Sequence, residues 1–304
     1  MLVVTWQIGL VLIESIIFIP LYILIWIAIQ RKRKTCAIFQ NHYYTFVISQ
    51  TTIDLYSLFF IVTMIFPQYF DVGKNLISST SPRWIATIYS NCDRYFFLSR
   101  LFGVFLITNQ RYLTICCPLS TITSKLNNSN PITLILFQWI FSFSIYSPAL
   151  CMTNFESMET LYIIYSQEDV RVYSIMLIPL FAIICPIIIF MYFRILLVIC
   201  SKRSNSGSTS KARYQEHRLC FHIFLLTIIS TVVFLYQITE LVTTQQFLTY
   251  TVTQLRLYLP LFSSNFSFIN PLVLILLNRD IQSAVNMVLK SEKTPINQKT
   301  ILVS

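Results

Sequence analysis

The chain alternates long apolar runs with short polar connectors, and seven of the runs are long enough to cross a bilayer. Hydropathy read along the sequence predicts spans at roughly 5–29, 44–66, 89–115, 132–152, 172–199, 219–243 and 252–277. Several are rich in Ile, Phe and Thr, which favour strands in water-soluble proteins. Length decides for helices: a barrel strand needs only about 10 residues of alternating polarity. Val4 to Ile29 and Val172 to Ile199 are far longer and apolar on every face. The run from Trp6 to Ile29 has no basic residue ahead of it, contains Glu14, and exceeds the length of a removable signal peptide, so it reads as an uncleaved first span. Beyond the last span, Ile281, Val285, Val288 and Leu289 share one helix face, with Arg279, Asp280 and Lys290 elsewhere. That pattern predicts a short amphipathic helix along the inner leaflet. The fold class is an all-α membrane protein: one seven-transmembrane-helix bundle covering 1–304, with 278–304 as its tail.

Composition agrees. Over half the residues are hydrophobic, only 11% are charged, and mean hydropathy is +0.66, which marks a membrane protein. Seven crossings use about 140–170 residues and leave connectors too short for a separate catalytic domain, so no enzyme is expected. Four glycines are few for the close helix contacts and glycine-lined paths of transporters. The eight cysteines include no CxxC pair, and His217 and His222 do not share a helix face, so neither a metal site nor a cofactor is expected.

The net charge of +10 takes its meaning from its distribution. Arg31, Lys32, Arg33 and Lys34 fill the first connector, Lys125 lies in the third, Lys202, Arg203, Lys211, Arg213 and Arg218 in the fifth, and Arg279, Lys290, Lys293 and Lys299 in the tail. The second connector has only Lys74 and Arg83, the fourth sets Arg171 among Glu156, Glu159, Glu168 and Asp169, and the sixth has no basic residue. Positive charge collects on the cytoplasmic side, so the N-terminus is predicted outside and the C-terminus cytoplasmic, and nucleic acid is not a partner. The serine-rich stretch from Ser201 to Ser210 reads either as a flexible linker or as a phosphorylated regulatory loop.

An ionisable side chain inside a span costs at least about 2.5–3.5 kcal/mol unless paired or facing a cavity. In the third span Asp93, Arg100 and Arg111 fall within about 20° of one another around the helix and form one polar stripe. Asp93 and Arg111 are about 27 Å apart, nearly the hydrocarbon thickness, and either could instead be a snorkelling anchor. Arg100 is mid-membrane and needs a counter-charge. Asp54 lies at matching depth in the second span, so an intramembrane Asp54–Arg100 pair is expected. Glu240 and Arg256, near the outer ends of the sixth and seventh spans, are a second candidate pair.

The segment Gly103 to Ser120, GVFLITNQRYLTICCPLS, resembles the inner end of the third helix of G-protein-coupled receptors. There an acidic-Arg-Tyr triplet precedes a proline-bearing loop. Here the triplet is Gln110, Arg111 and Tyr112, followed by Pro118, and glutamine in the acid's place puts the usual local ionic lock in doubt. Asn270 and Pro271 resemble the Asn-Pro-x-x-Tyr motif of the seventh helix, with Leu274 at the tyrosine position, and Asp54 matches the second-helix aspartate by depth. The sixth span lacks the common tryptophan and proline. These departures, with the Cys117-Pro118 pair, are similar to nematode serpentine chemoreceptors of the class v or g groups.

The resemblance implies a chemosensory receptor that binds a small extracellular ligand and activates a heterotrimeric G protein from a multi-pass position in the plasma membrane, or in a sensory cilium. Gln110, Arg111, Tyr112, Asn270 and Pro271 become coupling and switch residues, and Asp93, Glu240 and Arg256 ligand-binding candidates. Asp93 falls where amine receptors hold their ligand, although Arg94 beside it opposes a cation. Arg100 falls beside the family's buried sodium site, where a fixed guanidinium replaces the ion. A third-helix disulfide is usual in the family. Cys92 and Cys151 are the candidates here, with two separate thiols the alternative. The competing class is a multi-span transporter or channel whose path is lined by Asp54, Asp93 and Arg100.

Overall fold

A computed structural model describes residues 6–65, 83–152, 167–205, 210–245 and 249–291. Among the described residues there are seven long helices: α1 (Trp6–Arg33), α2 (His42–Phe60), α3 (Arg83–Cys116), α4 (Pro131–Met152), α5 (Gln167–Asn205), α6 (Ser210–Gln245) and α7 (Thr249–Leu277), then α8 (Arg279–Ser291). Short helical turns occupy two connectors, Ala37–Gln40 and Thr121–Asn128, and α2 runs on into a π-helical turn, Ile61–Ile65. Several helices extend past the predicted spans, α5 and α6 most of all. Hydropathy measures hydrocarbon thickness, whereas backbone hydrogen bonding continues into the polar zone.

Five helical stretches among the described residues are long and apolar enough to cross a membrane: Gly9–Arg33, His42–Thr63, Pro131–Pro148, Ile175–Ser201 and Phe224–Thr243. The bent pair Leu261–Leu277 and Arg279–Lys290 makes a sixth, its halves meeting at 91°. The remaining helix, α3, is the least apolar because Asp93, Arg94, Arg100, Asn109, Gln110 and Arg111 lie in it. It is also the central one, packed against α2, α4, α5 and α6, while α1 closes the ring against α2 and α7. Large apolar side chains such as Ile16, 73% exposed on α1, cover the outside. This is an integral multi-pass membrane protein.

Helices suit this setting because every backbone N–H and C=O must be satisfied without water. Several hydroxyls in the spans obey the same rule by bonding one turn back. Ser15 donates to the Val11 carbonyl (2.7 Å), Thr108 to Val104 (2.8 Å), Ser142 to Gln138 (2.8 Å) and Ser230 to Leu226 (2.8 Å).

One core cluster lies at the end of the bundle that carries α8, here the tail end. It joins Ile25, Ala28 and Ile29 of α1, residues Tyr43 to Ile48 of α2, and Ile281, Ala284, Val285 and Val288 of α8. The apolar face of α8 therefore packs on protein, and it includes Ala284 instead of the expected Leu289, which is 44% exposed. Asn278 caps α8, accepting from the amides of Asp280 (3.1 Å) and Ile281 (3.3 Å). A second cluster fills the space between α3, α5 and α6, around Leu98, Leu101, Phe181, Ile188 and Leu226.

The α2–α3–α4 junction is polar and tight. Trp139 Nε1 donates to Ser49 Oγ (3.1 Å), Ser49 to Gln138 Oε1 (2.8 Å), and Gln138 Nε2 to the Ser99 carbonyl (2.9 Å). Gly103 sits beneath: an added Cβ would lie 1.8 Å from Gln50 Oε1 and 2.6 Å from Gln138 Nε2. Gln138 is held by two hydrogen bonds, while both amide atoms of buried Gln50 lack a partner among the described residues. Gly103→Ala should thus lower thermal stability by an overpacking cost of about 1–3 kcal/mol. Adding Gln50→Ala should recover most of it, as read by the Tm of the detergent-purified proteins.

Candidate functional site

At mid-depth four helices converge on one buried charge. Asp54 of α2 and Arg100 of α3 are both fully buried, and Arg100 Nε stands 2.9 Å from Asp54 Oδ1. The contact is a charge-to-charge approach, since neither atom has an aligned hydrogen bond. Aligned bonds go elsewhere. Asp54 Oδ2 accepts from Asn270 Nδ2 of α7 (2.8 Å) and from the Tyr22 hydroxyl of α1 (2.8 Å), which also lies against the Ser267 carbonyl. Arg100 Nη1 donates to the carbonyl (3.0 Å) and hydroxyl (3.2 Å) of Ser263, and Nη2 to the Ser267 hydroxyl. The guanidinium also lies 5.8 Å from the Phe266 ring centroid. Around it Phe97 contacts Phe181 (6.1 Å) and Phe266 (5.8 Å), and Phe181 stacks on Phe234 (5.9 Å).

Tyr22, Ser263 and Ser267 escaped the sequence reading. A signal was present: Ser263, Ser267 and Asn270 recur at helical spacing on one face of an otherwise apolar α7. A lone mid-span tyrosine offered less.

At the tail end the triplet residues diverge. Buried Gln110 turns back on its own helix, Nε2 donating to Thr114 Oγ1 (3.2 Å). Arg111 crosses to α2, its Cζ 3.8 Å from the centroid of the Tyr43 ring, a cation–π contact worth about 0.5–2 kcal/mol. Tyr112 packs against Ile195 and Ile199 of α5. Pro271 is buried in α7 beside Asn270. The following loop is braced by Thr123, whose hydroxyl donates to the Cys117 carbonyl (2.7 Å), and by His42 Nε2 donating to the Ser129 carbonyl (2.9 Å). The brace leaves Leu119 99% exposed, an apolar residue that hydropathy alone did not single out.

At the opposite end, Glu240 is buried in α6, and the Tyr236 hydroxyl donates to the Leu255 carbonyl of α7 (3.1 Å). Glu14 of α1 accepts from Ser264 Oγ (3.3 Å). Asp93 and Arg256 lie on α3 and α7, but their side chains fall outside the described residues, as does that of Cys151 on α4. Cys92 is half-buried on α3, and the candidate Cys92–Cys151 bridge falls outside the described residues with the side chain of Cys151.

A helical bundle with a charged central helix, a buried Asp–Arg pair and a Gln-Arg-Tyr triplet at the tail end has the architecture of a seven-transmembrane-helix protein. The family model described as serpentine type 7TM GPCR chemoreceptor Srv matches residues 11–291, and the chain belongs to this family. The family is one of chemoreceptors and not of enzymes. No curated protein sequence matches the chain.

Two measurements check the central network. Asp54→Asn strands a buried cation and should cost about 3–5 kcal/mol, more than Asp54→Asn combined with Arg100→Met. Equal losses of Tm in the two proteins would contradict the pairing. Because the guanidinium occupies the carboxylate, replacing sodium by N-methylglucamine at constant ionic strength should leave Tm unchanged; a sodium-dependent rise would show that the ion still binds.

Proposed function

We propose that the chain is a chemosensory receptor that binds a small ligand between the helix ends opposite α8 and activates a heterotrimeric G protein at its tail end. The basic connectors support a cytoplasmic tail end and an outside N-terminus, and the proposed membrane is the plasma or ciliary membrane. One observation carries the reading. The unbroken helix α3 holds Arg100 in the buried network and, three turns further, presents Arg111 at the tail end. Any ligand that prefers one arrangement of α3 against α2 and α7 shifts the population of the other end by that same preference.

Asp93 and Glu240 are the ligand-facing acids in this reading, with Arg256 of α7 as the accompanying cation. Gln110, Arg111, Tyr112, Asn270 and Pro271 form the switch region, and the exposed Leu119 gives the partner an apolar contact beside it. The alternative, transport through Asp54, Asp93 and Arg100, finds Asp54 and Arg100 sealed at zero exposure among four helices.

In cells carrying a calcium or cyclic-nucleotide reporter, a screen of volatile and soluble cues should find an activator. Arg111→Ala should cut the response at least tenfold at equal surface expression. An activator-dependent current from the purified protein in liposomes, with no reporter response, would favour transport instead.

A further inference from the structure

The triplet lacks an acid, yet Arg111 is held. Its guanidinium rests on the face of Tyr43, and among the described residues its buried Nε finds no hydrogen-bond acceptor. Gln110, the residue in the acid's place, is neutral and committed to Thr114. The ring of Tyr43 therefore supplies the negative surface that a carboxylate supplies elsewhere.

Tyr43 is itself fixed from several sides. It is 2% exposed, in the first turn of α2, where Asn41 caps the helix by accepting from the Tyr43 amide (3.2 Å). Tyr44 meets it edge-on at 5.1 Å, Phe39 stacks on Tyr44 at 4.5 Å, and the Tyr44 hydroxyl donates to Asp280 Oδ2 of α8 (3.2 Å). On either side His42 holds the Thr121–Asn128 loop helix through Ser129, and Thr45 accepts from Arg33 Nη2 of α1 (3.1 Å). Four consecutive residues thus tie the start of α2 to α1, α3, α8 and the loop.

We propose that Tyr43 is the positioning residue that restrains Arg111 in the resting receptor, its ring replacing the missing acid of the triplet. The proposal rests on the reading of Arg111 as the residue that meets the G protein. For Arg111 to reach a partner it must leave the ring, so the aromatic face and the partner compete for one guanidinium. Such a contact holds the resting state more weakly than a buried ion pair, and its loss shifts the resting–active balance by a modest factor, about 5- to 30-fold.

The test uses the full-length protein in lipid nanodiscs, without ligand. Guanine-nucleotide exchange is followed on purified heterotrimers of each main Gα class. Tyr43→Leu should raise ligand-independent exchange several-fold, while Tyr43→Phe, which keeps the ring, should leave it within about twofold. The Tm loss caused by Tyr43→Leu should shrink in an Arg111→Met background, because the cation is already gone. If the leucine protein does not fold, a series of increasingly fluorinated phenylalanines at position 43 weakens the ring face at nearly constant shape, and exchange should climb along it. Exchange that stays at the wild-type level in Tyr43→Leu or along the series overturns the proposal, as does an equal Tm loss in both backgrounds. Exchange that survives Arg111→Ala is a separate failure: it removes Arg111 from coupling, while the Tm cycle still reports whether ring and cation touch.

Discussion

The Asp54–Arg100 pair is the constraint around which the bundle is built. Removing both charges from water is costly, and their attraction offsets that cost only when the remaining donors and acceptors are also satisfied. Tyr22, Ser263, Ser267 and Asn270 do this, and each comes from α1 or α7. One ion pair between α2 and α3 therefore obliges four helices to keep a common register. Apolar packing between lipid-embedded helices gives no comparable specificity, because a leucine gains little by exchanging a lipid tail for another leucine.

Around that point polar groups are satisfied in two ways. Hydroxyls within the spans bond one turn back on their own helix and leave neighbouring helices free to adjust. Other side chains, among them the Ser49 and Tyr22 hydroxyls, reach across. Gln138 links α4 to α2 and α3, Arg100 links α3 to α7, and His42 and Tyr44 link α2 to the loop helix and to α8. The cross-links crowd the α2 side of α3, whereas α5 and α6 meet it through aliphatic and aromatic side chains. The α5–α6 side is the one with fewer directional bonds to break.

The helices and the central pair were legible because each follows from one strong energy: hydrocarbon thickness sets the spans, and the cost of an isolated charge matches Arg100 with Asp54 by depth. What supports the pair was less legible. Tyr22 and the two serines are ordinary members of apolar helices until rotation about the axis is known, and only Ser263, Ser267 and Asn270 left a periodic trace. Tyr43 was hidden for a different reason. Its contact with Arg111 depends on how the start of α2 is aimed, which Asn41 and Phe39 set through local geometry that no hydropathy pattern records. Leu289 was wrongly put on the packed face of α8, which follows 281, 284, 285 and 288 and takes in the small Ala284 in its stead.

The right-angled junction of α7 and α8 has a mechanical meaning. A helix of 13 residues is about 20 Å long, so a 10° turn of α7 about its own axis would swing the far end of a rigidly attached α8 through about 3 Å. Asn278 makes the attachment stiff, and Ile281, Ala284, Val285 and Val288 seat the arm against α1 and α2. A small twist near Asn270 therefore appears at the tail end of the bundle as a sideways sweep, resisted by the packing of α8 against α1 and α2. The elbow amplifies a turn of α7, and its resistance sits on α1 and α2.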